Sequence, residues 1–355
     1  MAYTGKIKIN YNTACVGLGI LFVMQKTALI ADTSFLENII DFLQWPLLLY
    51  IVVTLNERWI KKSSLIRYLI VAMILILFLI SYRNSGLANI FKYTVLIIAA
   101  SKNKDFEIFR KFRDSYLVLV LTVFVLGLFR ILPSRIVRRG YFTYGFIHSN
   151  VLAMFVFAII CCDIICNYKK ISFWRCGIYT VVMVLVITIT DCRSVAVGFL
   201  SMLLLLIVFK INDDIHKSII IKILVAMIPI LLAILSFYVA YSFDFHNPLM
   251  LSLNKISSER LYLANQLTRF YSLTLLGQNC SDLLMENSYI TVFFAWGIIP
   301  GIITLMTYCY AIYNSITKKA YGISICLLAF AVQGVFEGST FELFENLSLL
   351  ATFMI

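Results

Sequence analysis

The sequence predicts an all-α protein, a polytopic transmembrane helix bundle of about 10–12 spans with one long outer loop that carries an interfacial helix. Three observations predict this class. Hydrophobic residues make up 61% of the 355 residues, charged residues only 14%, and the mean hydropathy is +0.92. A soluble domain carries roughly a quarter charged residues, so lipid has to solvate most of this chain. The apolar runs are continuous rather than alternating, which excludes a closed barrel of strands.

Apolar runs of roughly 17 to 23 residues, the length of a helix that crosses a bilayer, predict the individual spans. The spans are 12–31, 36–56, 66–82, 87–100, 115–132, 146–166, 174–190, 194–209, 218–240, 288–313, 320–336 and 341–355. The fourth and the twelfth are short, which leaves the count open. Residues 1–355 thus form a single integral membrane domain, and residues 241–287 form a long extracytoplasmic loop.

The positive charges predict the orientation. With the N-terminus in the cytoplasm, 19 Lys and Arg residues fall on the cytoplasmic side and nine on the outer side, while Lys26 and Lys92 lie inside spans. Positive loops stay in the cytoplasm. We therefore expect a multi-pass protein of the cytoplasmic (inner) membrane with both termini cytoplasmic. The same bias accounts for the net charge of +12, so no nucleic acid partner is expected.

The outer cations are unevenly placed. Eight of the nine lie in three places, namely the loop at 130–139, the link at 191–193 and the loop at 241–287. Seven of the eight are arginines, whose planar fork suits phosphate oxygens. No acidic residue lies between Asp114 and Asp163, so the arginines of the first loop are expected to lack an acidic partner. We interpret the cluster as an anion site; the alternative is snorkelling to lipid phosphates.

The long outer loop is predicted to contain one amphipathic helix. Apolar residues recur at helical spacing from Ser258 to Leu276, with Ser258 placed to cap the start and Gly277 to end the helix. A helix of this kind lies on a membrane face. Because arginines lie nearby, we interpret it as a lid over a lipid-phosphate site.

Four short motifs follow one another on the predicted outer face. They are Arg138-Arg139-Gly140 followed by Gly145-Phe146-Ile147-His148-Ser149-Asn150; Arg193-Ser194 through Gly198; Ser257-Ser258-Glu259-Arg260-Leu261 with Leu276-Gly277; and Glu286-Asn287-Ser288-Tyr289 followed by Gly297-Ile298. In this order they resemble motifs of the polysaccharide repeat-unit polymerases (the Wzy family) and of the O-antigen ligases. The resemblance covers roughly residues 130–350 and is strongest to Gram-positive capsule and exopolysaccharide versions. Ser149 replaces a proline of the family pattern, and Glu286 stands where related ligases have histidine.

The resemblance implies a membrane-embedded glycosyltransferase. Such an enzyme polymerises undecaprenyl-diphosphate-linked oligosaccharide repeat units into capsular polysaccharide, exopolysaccharide or O-antigen at the outer face of the cytoplasmic membrane. The transfer is inverting and is expected to need neither cofactor nor metal. The implied partners are the lipid-linked oligosaccharide, membrane lipid, and the chain-length regulator and flippase of the same pathway.

The resemblance also implies roles for individual residues. Glu286 is expected to act as the general base and Arg193 to stabilise the leaving diphosphate, which makes these two the catalytic candidates. The substrate-binding candidates are Arg138, Arg139, Arg260, His148, Asn150, Asn287 and Tyr289. His148 and Asp282 are rival bases.

Two other functions stay open. An O-antigen ligase would share the fold, and a flippase or transporter would handle the same lipid-linked unit. Transporters keep ionisable groups near the middle of their helices. Here Lys26, Lys92, Asp163 and Asp191 lie toward span ends, and we expect the middle positions to be apolar, which favours the polymerase.

Overall fold

The computed structural model of the chain describes residues 11–59, 65–100, 106–136, 140–352 and 354. Within these residues the fold is all-α and has no strand, which confirms the predicted class. The helices are α1 Tyr11–Gln25, α2 Ala28–Ala31, α3 Ser34–Trp59, α4 Leu65–Ser85, α5 Ala88–Ala100, α6 Glu107–Leu128, α7 Ser149–Asn167, α8 Phe173–Thr190, α9 Arg193–Ile211, α10 Ile219–Ala226, α11 Ile228–Ser242, α12 Pro248–Ile256, α13 Arg260–Phe270, α14 Ser288–Thr291, α15 Ile298–Thr317 and α16 Tyr321–Gln333. Among the described residues, five helical stretches are long and apolar enough to cross a membrane, and four further apolar helices are shorter.

The bundle has a buried centre and an apolar periphery. In the most apolar stretch of α7, 67% of the residues are buried, against 17% in α8. α6, α8 and α16 pack against α7, and α9 packs against α16. Large apolar side chains of α8, such as Val181 and Leu185, are exposed. Because water does not stabilise so much exposed apolar surface, the periphery is suited to lipid.

The predicted spans agree best with the helices in the middle of the chain. Spans 146–166, 174–190 and 194–209 correspond to α7, α8 and α9, and each end agrees within three residues. Ser172 caps α8 by accepting a hydrogen bond from the N–H of Arg175 at 3.3 Å, and left-handed Asp191 ends the same helix. These local signals fix the boundaries.

The prediction of a span over 341–355 is wrong. Over its described residues, 341–352 and 354, the segment consists of turns and a short 3₁₀-helix at Leu347–Thr352. Leu350 and Ala351 are buried by neighbouring helices rather than exposed at the surface. The ninth and tenth predicted spans are interrupted, at Met227 between α10 and α11 and at a π-helical turn, Val292–Trp296, before α15.

The long loop carries two helices where one was predicted. Asn247 caps the unpredicted α12 through hydrogen bonds from the N–H groups of Leu249 and Met250. In α13, Ser258 does not act as the cap, and the helix ends at Phe270 rather than at Gly277. Ala264 and Leu267 of α13 pack against a small core that includes Phe294, so the apolar side of α13 contacts the bundle.

Two glycines allow close backbone contact between the segment at 274–278 of this loop and the start of α15. A Cβ atom on Gly277 would lie 2.4 Å from the carbonyl oxygen of Ala295, and one on Gly297 would lie 2.3 Å from the backbone nitrogen of Gly277. Both residues have positive φ angles, of 84° and 103°. The N–H groups of Ile298 and Ile299 donate to the carbonyls of Thr274 and Leu275. Only glycine allows this approach.

A second backbone contact joins the start of the chain to the segment before α7. α1 ends at Gln25, so Lys26 lies in a break between helices rather than inside a span. The N–H of Ala28 donates to the carbonyl of Gly145 at 2.8 Å, and the N–H of Ile147 donates to the carbonyl of Lys26 at 3.0 Å. The contact holds Lys26 and His148 at the same end of the bundle.

Candidate functional site

A cavity of about 440 Å³ lies where three helices begin. α7, α9 and α13 present Ser149, Arg193 and Arg260, their first residues, to this space. Other residues of its walls are Tyr141, His148, Asn150, Asp191, Ser194, Ser257, Ser258, Glu259 and Glu286. We call it the arginine cavity. Tyr141, from the segment before α7, and Arg260, from the long loop, line the same cavity.

The helix N-termini give this cavity a positive wall. Backbone N–H groups at a helix start carry partial positive charge, which attracts anions. Cys192, which precedes α9, provides no side-chain cap, whereas in the first turn of α13 the side chain of Asn254 accepts from the N–H of Tyr262. At α7, the Nδ1 atom of His148 accepts a hydrogen bond from the N–H of Asn150 at 3.2 Å. Together with two arginines, these ends form a site suited to an anionic group.

Arg193 projects from a tight turn between α8 and α9. Its guanidinium donates to the carbonyl of Ile256 at 3.3 Å, and its Nε lies 3.4 Å from Oδ1 of Asp191. The side chain is 51% exposed. A guanidinium has five N–H donors, so these two contacts leave donors for a ligand.

Arg260 is held by two carboxylates. Its Nη2 lies 3.1 Å from Oε2 of Glu286 and 3.4 Å from Oε2 of Glu337, and only 11% of its side chain is exposed. Glu337 also accepts a hydrogen bond from the hydroxyl of Ser194 at 2.7 Å. Burial raises the pKa of Glu337, against the opposing effects of Arg260 and Ser194. One cation thus fixes Glu286 in the cavity wall.

The turn before Arg260 is strained. Ser258 and Glu259 both have left-handed backbones, with φ angles of 62° and 70°. Such a conformation is unfavourable for residues other than glycine, and it persists where surrounding contacts enforce it. Here Asn254 supplies the contacts: its carbonyl accepts from the N–H of Glu259, and its side chain accepts from the N–H of Tyr262. The turn directs Arg260 toward Glu337.

His148 and Asn150 belong to the same wall as Glu286. Burial lowers the pKa of His148, which the nearby Glu286 only partly opposes, while Arg260 lowers it further. The neutral ring is therefore favoured near pH 7. Because Nδ1 accepts a hydrogen bond, the neutral ring carries its hydrogen on Nε2.

Asn287 and Tyr289 do not line the arginine cavity, so their expected role in substrate contact lacks structural support. Asn287 is buried and caps α14 through the N–H groups of Tyr289 and Ile290, while its amide donates to Ser236 and to the carbonyl of Val335. The hydroxyl of Tyr289 donates to the carbonyl of Ala331 at 2.8 Å. Both side chains hold helices together.

Two further expectations concern the loop at 130–139. Arg138 and Arg139 lie outside the described residues. The expectation that the arginines of this loop lack an acidic partner is wrong for Arg135, whose guanidinium pairs with Asp32 from the link between α2 and α3. Asp32 lies 103 residues from Arg135 along the sequence, so the spacing of charges did not identify the pair.

Asp282, a rival base, lies apart from the arginine cavity. It is exposed, and its Oδ2 accepts from the hydroxyl of Tyr271 at 3.4 Å. Among the acidic candidates, Glu286 is the one whose side chain reaches the cavity together with Arg193 and Arg260.

A second cavity, of about 320 Å³, adjoins the first. Its walls include Lys26, Thr291, Trp296, Glu337, Ser339, Phe341, Glu342 and Glu345. We call it the carboxylate cavity. His148, Asn150 and Glu286 line both cavities, so these three residues form a shared wall.

Glu337, Glu342 and Glu345 were missed by the sequence reasoning. Glu342 and Glu345 fall within the predicted span 341–355; Glu345 is buried, and Glu342 lies in the wall of the carboxylate cavity. Ser288 ties their segment to the site: its N–H donates to the carbonyl of Glu337, and its hydroxyl accepts from the N–H of Thr340. Charges inside lipid are costly, so two acids this close together in one predicted span were a sign that the segment does not cross the membrane.

No protein-family model, no curated protein and no solved structure matches this chain. In the parts of the chain that the structure describes, no group of three or more His, Cys, Asp or Glu side chains is arranged to hold a metal ion. The geometry and chemistry of the two cavities therefore carry the functional interpretation.

Proposed function

We propose that this protein is a membrane-embedded glycosyltransferase that polymerises lipid-diphosphate-linked oligosaccharide repeat units. The observation that carries the proposal is the convergence of Arg193, Arg260, His148, Asn150 and Glu286 on one cavity at three helix N-termini. These residues come from separate motifs that resemble those of the repeat-unit polymerases. A diphosphate site and a carboxylate within one cavity are what such a transfer needs.

The leaving group explains the positive wall. As the bond from the donor sugar C1 to the diphosphate oxygen breaks, its electron pair passes to that oxygen, and negative charge develops there. Fixed donors that meet developing charge lower the barrier. Arg193 keeps free N–H donors, and the start of α9, which has no side-chain cap, faces the cavity.

Glu286 is placed to receive a proton. In the proposed step a hydroxyl of the incoming unit attacks C1 from the side opposite the diphosphate, which inverts the configuration, and its proton passes to the Glu286 carboxylate. Arg260 orients this carboxylate at 3.1 Å. A base must lie within hydrogen-bond reach of the hydroxyl, and the shared wall supplies that position.

The proposal is tested in cells that lack this gene. We expect lipid-linked single repeats to accumulate at the outer face and long chains to return when the full-length gene is restored. Single repeats that stay on the cytoplasmic side, protected from an added glycosidase, would indicate a flippase instead. Long chains that remain on the lipid diphosphate would indicate a ligase.

The location of the site requires a separate test. Phe270 is exposed at the end of α13, the helix whose first residue lines the arginine cavity, and Lys318 is exposed at the far end of α15. In a cysteine-free protein, we expect Phe270→Cys but not Lys318→Cys to react with an impermeant maleimide on intact cells. The reverse labelling pattern would place the cavity in the cytoplasm and contradict a transfer at the outer face.

A further inference from the structure

The carboxylate cavity contains buried polar atoms that no part of the described chain satisfies. Oε2 of Glu342, Oγ1 of Thr291 and Oγ of Ser339 are inaccessible and have no hydrogen-bond partner. Thr291 is only 8% exposed and lies in the cavity wall. Unsatisfied buried polar groups are costly, and a rotation of these side chains toward the adjoining space would bring them within hydrogen-bond reach of a ligand.

The charges of this cavity are unbalanced. Lys26 pairs with Glu345 at 3.5 Å, and Arg260 is shared between Glu286 and Glu337. Glu342 is the fourth acid of the cavity wall. The four carboxylates therefore have only Lys26 and Arg260 as cationic partners among the residues that the structure describes. Carboxylates accept hydrogen bonds and repel anions, so the space favours a ligand that donates hydroxyl or ammonium hydrogens.

Aromatic rings form the remaining surface. Trp296 and Phe341 line the cavity with ring centroids 6.4 Å apart and planes inclined at 65°. The electron-rich face of an aromatic ring attracts the slightly positive C–H groups of a sugar ring. A volume of about 320 Å³ lies within the usual range of small-molecule sites, roughly 300–1,000 Å³.

We propose that the carboxylate cavity holds a neutral or amino-bearing sugar ring, and that its carboxylates exclude uronic acids and phosphorylated sugars from this position. The inference rests on the proposed function for the identity of that sugar as part of a repeat unit. The shared wall brings Glu286 to the edge of the cavity, so a hydroxyl of the bound sugar faces the arginine cavity. The selection by charge depends only on the residues of the carboxylate cavity.

The test measures binding by the fluorescence of Trp296. The full chain is purified with Trp45, Trp59 and Trp174 replaced by Phe, so that Trp296 is the one remaining tryptophan. Methyl glycosides of gluco, galacto and manno configuration are titrated as matched sets of the hexose, its 2-amino form and its uronic acid. We expect neutral or amino forms to bind at least about tenfold more tightly than the uronic acid of the same configuration, because like charges repel at close range. Equal or tighter binding of the uronic acids, or no response to any neutral or amino sugar, would overturn the proposal.

A variant that removes one charge distinguishes selection of the sugar by charge from selection by the shape of the cavity. Glu342→Gln keeps the size of the side chain, and at pH 8, where Glu342 is ionised, we expect it to narrow the difference in affinity between uronic acid and hexose by about tenfold. The matched control is Glu37→Gln, which alters an exposed acid that lines neither cavity and should leave the difference unchanged. An unchanged difference in Glu342→Gln would contradict the assignment of selection to this carboxylate.

The two proposals fail in different ways. If binding shows the expected selection but cells without the gene still polymerise their repeats, the sugar site stands and the polymerase proposal fails. If polymerisation depends on the gene but Trp296 reports no selection by charge, the polymerase proposal stands and the sugar site is rejected.

Discussion

The arginine cavity and the carboxylate cavity share a wall but differ in their balance of charge. Three helix N-termini, two arginines and the acids Asp191, Glu259 and Glu286 line the first, whereas four glutamates and one lysine line the second. The first is built from the starts of regular helices, and the second from a break after α1 and the irregular segment after α16. One end of this bundle can therefore hold two chemically different parts of a ligand side by side. Under the proposed function these parts are a diphosphate and a sugar.

The largest effect is expected from Glu286→Gln, which alters the shared wall. An amide of the same shape cannot accept the hydroxyl proton, so polymer formation should fall by roughly 10²–10⁴-fold while single lipid-linked repeats accumulate. Glycan length on gels and the amount of folded protein in the membrane check this. Glu286→His should recover part of the activity, because imidazole accepts protons near neutral pH. Polymer of normal rate and length from Glu286→Gln would move the base elsewhere, with His148 the next candidate in the wall.

A second prediction separates the two roles of Arg260. Arg260→Ala leaves Glu286 and Glu337 without their shared cation, which should destabilise the protein by about 3 kcal/mol and abolish polymer. The double variant Arg260→Met with Glu337→Gln should regain most of the apparent Tm in detergent but no polymer. Recovery of polymer in the double variant would show that Arg260 serves only as an ion-pair partner.

The third prediction concerns Arg193, which lines the arginine cavity but not the carboxylate cavity. Arg193→Lys keeps the charge but loses the planar fork, and polymer yield should fall by about tenfold or more. The half-exposed side chain predicts little change in the apparent Tm. Lys169→Ala, at the other end of α7, is the matched control. Normal polymer from Arg193→Ala would remove this residue from the site.

The smallest effect concerns stability in the carboxylate cavity. Burial raises the pKa of Glu342 to about 7, more than the nearby Lys26 lowers it, whereas an unfolded glutamate titrates near about 4.3. As pH rises between these values, the unfolded chain releases a proton that the folded protein retains, so stability falls, by about 4 kcal/mol at most. The apparent Tm of Glu342→Gln should therefore exceed that of the wild type by a margin that grows from pH 5 to pH 8. A constant margin would show that Glu342 is already ionised at pH 5.

The helical class and the central helices were predictable because their signals are local. Continuous apolar runs, together with the polar residues at their ends, gave α7, α8 and α9. The twelfth span failed because hydrophobicity does not distinguish a segment buried by protein, such as Leu347–Thr352, from one buried by lipid.

The site was predictable in part for the same reason. His148, Arg193 and Arg260 mark helix starts, and helix starts at one end of a bundle meet. The partner of Arg260, Glu337, lies 77 residues away and could not be identified from spacing. Asn287 and Tyr289 follow Glu286 directly, yet the turn of α14 directs them into the bundle.

The contact between Gly277 and Gly297 has a consequence for which parts of the long loop tolerate changes in length. The segment at 274–278 is joined to the start of α15 by three backbone hydrogen bonds, with no room for a side chain at either glycine. An inserted residue there would break this pairing and shift Glu286 relative to Arg260. The exposed turn at Asp244–Asn247 lacks such constraints, because its hydrogen bonds stay within a few residues. Epitope tags and natural insertions should therefore be accommodated before α12 and rejected near Gly277.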